Sequence, residues 1–154
     1  ARWNMATGEI NPMPYEYPDL KKVRFIYAAS AEHQLYVQCY TQYDLMTICD
    51  FNGNLKCNIY GPKWVNEKTQ TQHYSLGVEF CGDKILALYS GGDHRTDAYY
   101  PTKFLVFDLN GNYLKTLETG YMITDFCYDK ENSRLIINLN DEIQFAYLDL
   151  EVII

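Results

Sequence analysis

At 154 residues, 47% of them hydrophobic and 21% charged, the chain is long enough to bury one core and too apolar to remain disordered. Its formal net charge of −7, with Lys21 and Lys22 as the longest basic run, excludes a binding mode built on neutralising phosphates, so no nucleic-acid partner is expected. No apolar stretch approaches the roughly 18 residues a helix needs to cross a bilayer, so no transmembrane segment is expected in this chain.

Residues 1–20 read as an extended arm or linker, because Pro12, Pro14 and Pro18 interrupt helical and central-strand patterns alike. The opening "ARWNMATGEINP" carries no signal-peptide pattern, and without an initiator Met it suggests a processed or trimmed chain. Short strand-like runs then dominate. "RFIYAAS", "QLYVQCY", "LMTICDF" and "LKCNIYG" follow one another across turn signals, and the polar stretch "PKWVNEKTQTQ" closes the series. A second series runs "YSLGVEF", "ILALYS", "FLVFDL" and "YLKTLE", interrupted by "GGDHRTDAYYP". A third runs "YMITDFCY", "RLIINLN" and "IQFAYLDLEVII". No amphipathic helix of useful length is visible, and the 15 tyrosines add to the β-propensity, so the chain is expected to be all-β.

The three series share a frame. Leu35, Ile85 and Leu135 stand 50 residues apart in the second strands, and each third strand ends on an Asp: Asp50, Asp108 and Asp149. These aspartates follow their anchors by 15, 23 and 14 residues, so the second series carries about eight extra residues in "GGDHRTDAYYP". Four hairpin-connected strands with a period near 50 match a β-propeller blade. Stacked blades would bury the near-continuous apolar strands "LVFDL" and "LIINL" on both faces. The expected architecture is a partial β-propeller of about three four-stranded antiparallel blades, over residues 21–61, 74–120 and 121–154. A closed propeller needs more blades, so the expected partners include missing propeller blades or a second copy of the chain.

On the residues "HQLYVQCY…LMTICDFNGNL", "DKILALYS…KFLVFDLNGNYLKTL" and "SRLIINL…FAYLDLE", the chain resembles the TolB-like six-bladed β-propeller family of exported lipoproteins. The likeness covers residues 21–154, and its motif specifies fold better than function. It implies the C-terminal half of a six-bladed propeller in an extracytoplasmic location, the periplasm or cell surface. The family has no established reaction, so it assigns no catalytic residue.

The pattern Asp-x-Asn-Gly-Asn occurs at residues 50–54 and 108–112. Its alternating oxygens suggest a calcium loop, but Leu55 and Tyr113 stand where that loop requires Gly, and Gly61 and Thr119 where it requires Glu. A two-residue Asn-Gly hairpin turn of type I′ is the expected reading, braced by Asp50 and Asp108. Cys39, Cys49, Cys57, Cys81 and Cys127 match no zinc spacing and are expected as small buried hydrophobes. No cofactor and no metal site are expected.

The insert is the strongest functional candidate. In a propeller, the loop between second and third strands shares a rim with the blade-to-blade connection. That places Asp93, His94, Arg95, Asp97, Tyr99 and Tyr100 beside Trp64 and His73, as a surface for a glycan or peptide ligand. No nucleophile elbow, metalloprotease helix or phosphate loop is present. The leading expectation is a non-catalytic binding or interaction module. The alternatives are a hydrolase or lyase acting on carbohydrate or a small ester, using His94 and nearby carboxylates, and a half-propeller that self-associates.

Overall fold

The computed structural model describes residues 2–11 and 23–152. The proline-rich part of the expected arm, from residue 12 to 20, lies outside them. Residues 2–11 form a small hairpin, in which β1 (Arg2–Trp3) pairs with β2 (Ile10–Asn11). Asn4 organises it, with its side-chain oxygen accepting from Ala6 N at 3.0 Å and its carbonyl from Gly8 N at 2.8 Å.

Three larger antiparallel sheets follow, so the described residues are all-β apart from one short 3-10 turn. Sheet 1 has β3 (Phe25–Ser30), β4 (Leu35–Tyr40), β5 (Leu45–Asp50) and β6 (Leu55–Tyr60) in sequential order. Sheet 2 repeats that order with β7 (Thr71–Cys81), β8 (Lys84–Asp93), β9 (Lys103–Asp108) and β10 (Tyr113–Glu118). Sheet 3 has β11 (Ile123–Asp129), β12 (Arg134–Leu139) and β13 (Phe145–Asp149). Among the described residues it has no fourth strand, unlike the expected four. Beyond β13 the chain turns inward, where Leu150 N donates to Ser133 O at 2.9 Å and the Leu150 side chain is buried.

The middle sheet is covered on both faces, which explains its unbroken apolar runs. Along "ILALY", Ile85, Ala87 and Tyr89 face sheet 1, while Leu86 and Leu88 face sheet 3. Leu35, Val37, Cys39, Met46 and Ile48 meet the first set, and Ile123, Leu135 and Ile137 meet the second. Each such side chain contributes about 1.5–3 kcal/mol of burial. Cys39, Cys49 and Cys81 are buried, Cys57 is half-buried and Cys127 is exposed, and none of them is in a disulfide.

The first strands of the three sheets lie side by side, β3 against β7 and β7 against β11. Their turns also meet: His33 Nε2 lies 2.8 Å from Gly82 O, and Lys130 Nζ reaches Glu32 at 2.7 Å. The sheets therefore converge at their first strands.

The two Asp-x-Asn-Gly-Asn stretches are turns, but not the expected two-residue ones. Gly53 N donates to Asp50 O and Asp50 N to Asn54 O, each at 3.0 Å, which closes a three-residue loop. Only Gly53 has a positive φ, +87°, whereas a type I′ turn would require one at Asn52 too. The cause is the carboxylate. Asp50 Oδ1 accepts from Asn52 N and Asn54 N at 2.9 Å each, and Oδ2 from Asn54 Nδ2 at 2.8 Å. This holds Phe51 and Asn52 in a right-handed turn and leaves an extra residue, which glycine absorbs as a bulge. Asp108 repeats the set with Asn110 and Asn112, and Gly111 has φ +86°. Hydrogen bonds from Asn54 and Asn112 hold both carboxyls below their ordinary pKa.

Candidate functional site

The insert is built as a platform rather than an open loop. Its first residues continue β8, with Gly92 opposite Gln72 and Asp93 opposite Thr71. A 3-10 turn at Asp97–Tyr99 follows, capped by Thr96, whose hydroxyl accepts from Ala98 N at 3.3 Å. Ser90 Oγ ties the turn back to the strand by donating to Ala98 O at 2.6 Å.

Asp93 grips Arg95 through both carboxylate oxygens, Oδ1 from Nε at 3.0 Å and Oδ2 from Nη2 at 2.6 Å. These bonds hold the Asp93 carboxyl well below the usual carboxylate range and push the guanidinium up. His94 is fixed from the other side: its backbone N–H donates to Gln70 O at 3.1 Å, and its Nδ1 lies 2.9 Å from the same carbonyl. A carbonyl can only accept, so Nδ1 carries a proton in this contact. Asp97 is exposed at the start of the 3-10 turn. Tyr99 and Tyr100 stack with ring centroids 4.2 Å apart at 28°, both partly exposed. The Tyr100 hydrogen bond raises the Tyr99 phenol.

The connection between sheets 1 and 2 does meet the insert. Gln70 binds His94, and Lys63 Nζ donates to Gly91 O at 3.4 Å. Trp64 is half-buried between Tyr60, at 4.8 Å between centroids, and Tyr43, at 6.0 Å. His73 lies inside the protein, 2% exposed, and Trp64 packs against Tyr43 and Tyr60 rather than against the insert's side chains.

Around His73 stands a buried network that the sequence reading did not single out. Asp44, 1% exposed, sits in the β4–β5 turn, and its Oδ2 accepts from Lys63 N at 2.9 Å. Tyr89 donates its phenol to Asp44 Oδ1 at 3.3 Å. His73 Nδ1 lies 3.2 Å from the same phenol oxygen and 3.8 Å from Asp44 Oδ1. Tyr89 has one proton, directed at Asp44, so its oxygen accepts from His73 Nδ1–H. Burial lowers the His73 pKa, with Asp44 acting in the opposite direction and Lys63 in the same one. Burial and then Asp44 raise the Tyr89 phenol well above its ordinary value. Gly61 is required here, because a Cβ at that position would overlap the Asp44 carboxylate. The network joins sheet 1, sheet 2 and their connection at one point, so its chemistry is that of a brace. Asp44 and Tyr89 also line a cleft of about 370 Å³ between the sheets, whose rim carries Tyr60, Tyr113 and Lys103.

The sequence signals for this network were an Asp inside the apolar run "YDLMTI" and a Gly closing "NIYG". Neither has a motif, and their partners lie 17 and more residues away. Among the described residues no three His, Cys, Asp or Glu side chains converge as a metal site. No described helix is long and apolar enough to cross a membrane. No protein-family model matches the chain, and no curated protein matches it significantly.

Proposed function

We propose that the chain is a non-catalytic binding module, made of β-propeller blades from an exported protein, and that its insert binds a glycan. The blade reading is supported by the repeated strand order, the converging first strands and the middle sheet covered on both faces. The extracytoplasmic location rests on the family resemblance. The observation that carries the binding reading is the stacked Tyr99–Tyr100 pair, held on a capped 3-10 turn next to a bidentate Asp93–Arg95 pair. Ring faces pack against the C–H faces of sugars, and fixed polar groups beside them orient hydroxyls. A platform ordered before the ligand arrives loses less freedom on binding.

The test is a panel of soluble oligosaccharides read by ligand-observed NMR, on wild type and on Tyr99→Ala/Tyr100→Ala. At least one glycan is expected to bind wild type, with its signals lost for the variant. Equal binding by both proteins, or none by either, would overturn the reading.

A further inference from the structure

We propose that the cleft between sheets 1 and 2 is a second binding site, for a small aromatic monocarboxylate whose carboxylate pairs with Lys103. The proposal concerns a different surface from the insert and does not depend on the glycan reading.

The cleft, about 370 Å³, has one wall from sheet 1 and one from sheet 2, and all four strands of each sheet are described. The sheets are fastened at both of its ends. At one end stands the buried bond between Tyr89 and Asp44, at 3.3 Å. At the other, the turn after β9 presses on β6. There Cys57 Sγ donates to Asn110 O at 3.5 Å, and a Cβ at Gly111 would come within 2.9 Å of Ile59 Cδ1. These two points set the spacing of the walls, so the space is formed before a ligand arrives. Ile59, Leu105 and Phe107 make the walls apolar. Tyr60 and Tyr113 frame the mouth, 49% and 57% exposed, and both rings are held. Tyr60 meets Trp64 edge-on at 4.8 Å, and Tyr113 meets Phe107 edge-on at 6.0 Å. The Tyr113 hydroxyl also lies 2.8 Å from Thr116 Oγ1.

Lys103 selects the charge. It lines the cleft from β9, half-buried, with its ammonium 5.7 Å from the centroid of the Tyr89 ring. An ammonium has three N–H donors, and among the described residues none of these meets an oxygen acceptor. Glu118 stands opposite Lys103 across the strands, but it is exposed and its Oε1 accepts from Gly120 N at 3.4 Å. Asp44 also lines the cleft, yet its two oxygens already accept from Tyr89 and from Lys63 N. The charge left for a ligand to pair with is that of Lys103, and it calls for an anion. A carboxylate meets an ammonium through charge-assisted hydrogen bonds. An aromatic body then lies against the apolar walls and the rings at the mouth, where ring pairs add to plain burial. A cation drawn by Asp44 is the competing ligand, and the test includes one.

The probes are hydrocinnamate, its neutral amide, the cation phenylpropylammonium, and the saturated acid cyclohexylpropionate. Each is titrated into the isotope-labelled chain and followed by amide NMR shifts. Hydrocinnamate should shift the amides of Ile59, Leu105 and Thr116 and leave those of Asp93–Tyr100 in place. It should bind at least about tenfold more tightly than the amide or the cation, and about threefold or more tightly than the saturated acid. Lys103→Gln should weaken it about tenfold with a nearly unchanged urea midpoint, and Lys103→Arg should retain binding. Five results would overturn the proposal: no binding of hydrocinnamate, amide or cation binding as tightly, equal binding of the saturated acid, shifts confined to other surfaces, or Lys103→Gln binding like wild type.

Discussion

The described residues include two aspartate–histidine pairs at nearly the same separation. Asp44 Oδ1 lies 3.8 Å from His73 Nδ1, and Asp93 Oδ1 lies 3.9 Å from His94 Nδ1. Their surroundings are opposite. The first pair is 1% and 2% exposed, the second 38% and 39%. In the first, every polar contact is made inside the protein, by Tyr89 and by the backbone of Lys63, and the pair fastens two sheets. In the second, Arg95 and Gln70 hold the side chains still while leaving them in contact with solvent. Distance between two titratable groups therefore says little about their role. Burial decides whether such a pair acts as a brace or is available to a ligand.

The comparison breaks most visibly at Asp44. Asp44→Ala removes the acceptor for the Tyr89 phenol and the Lys63 N–H, leaving buried donors unpaired. It should destabilise the chain by about 3–5 kcal/mol, read as a lowered urea midpoint. Gly61→Ala attacks the same point from the other side, since its Cβ would take the place of the Asp44 carboxylate. A loss of about 1–3 kcal/mol is expected in the same titration. A smaller loss for Asp44→Ala than for Gly61→Ala would mean that the carboxylate is a space-filler rather than a hub.

His73 adds a pH signature to the buried pair. Its folded pKa lies below the ordinary value near 6.5. Above that pH both folded and unfolded states hold a neutral imidazole and the group has no effect. As pH falls below about 6.5, the unfolded chain takes up a proton that the folded chain refuses. The unfolded state then binds more protons, so stability falls until the folded value is passed. Urea midpoints measured from about pH 7.5 to 5 should decline more steeply for wild type than for His73→Gln. Parallel profiles would remove His73 from the buried set.

Much of the fold could be read from the sequence, because its signals are local or periodic. The spacing of Leu35, Ile85 and Leu135 marks β4, β8 and β12, and the three terminal aspartates mark the ends of β5, β9 and β13. The turn type was not legible, since Asn-Gly fits both a two-residue and a three-residue loop. Asp50 and Asp108 decide between them by hydrogen bonds that a dipeptide preference does not include. The insert was legible as a length difference, but its 3-10 turn and tyrosine stack come from a cap and a backbone anchor eight residues apart, at Ser90 and Ala98. His73 was misplaced on the surface because it sits in a polar stretch, "TQTQHYS", and only the pairing of β7 with β8 turns it toward Tyr89. Asp44 was invisible for the complementary reason: a carboxylate between Tyr43 and Leu45 looks like a turn residue until its partners from sheet 2 are in place.

The exposed pair should give the smallest effect on stability, and this result would sharpen the contrast most. Asp93→Asn disrupts an ion pair whose partners are open to solvent, where water replaces the lost bonds. Its urea midpoint should match wild type, and so should that of Tyr99→Ala/Tyr100→Ala, because the stack covers none of the buried clusters. Binding is where these variants should differ. Loss of the two rings should abolish the glycan signal. Asp93→Asn should weaken it by about tenfold or less, because the bidentate grip that orients Arg95 is loosened while the rings stay in place. If Asp93→Asn lowered the urea midpoint as far as Asp44→Ala, both pairs would be braces, and exposure would not distinguish them.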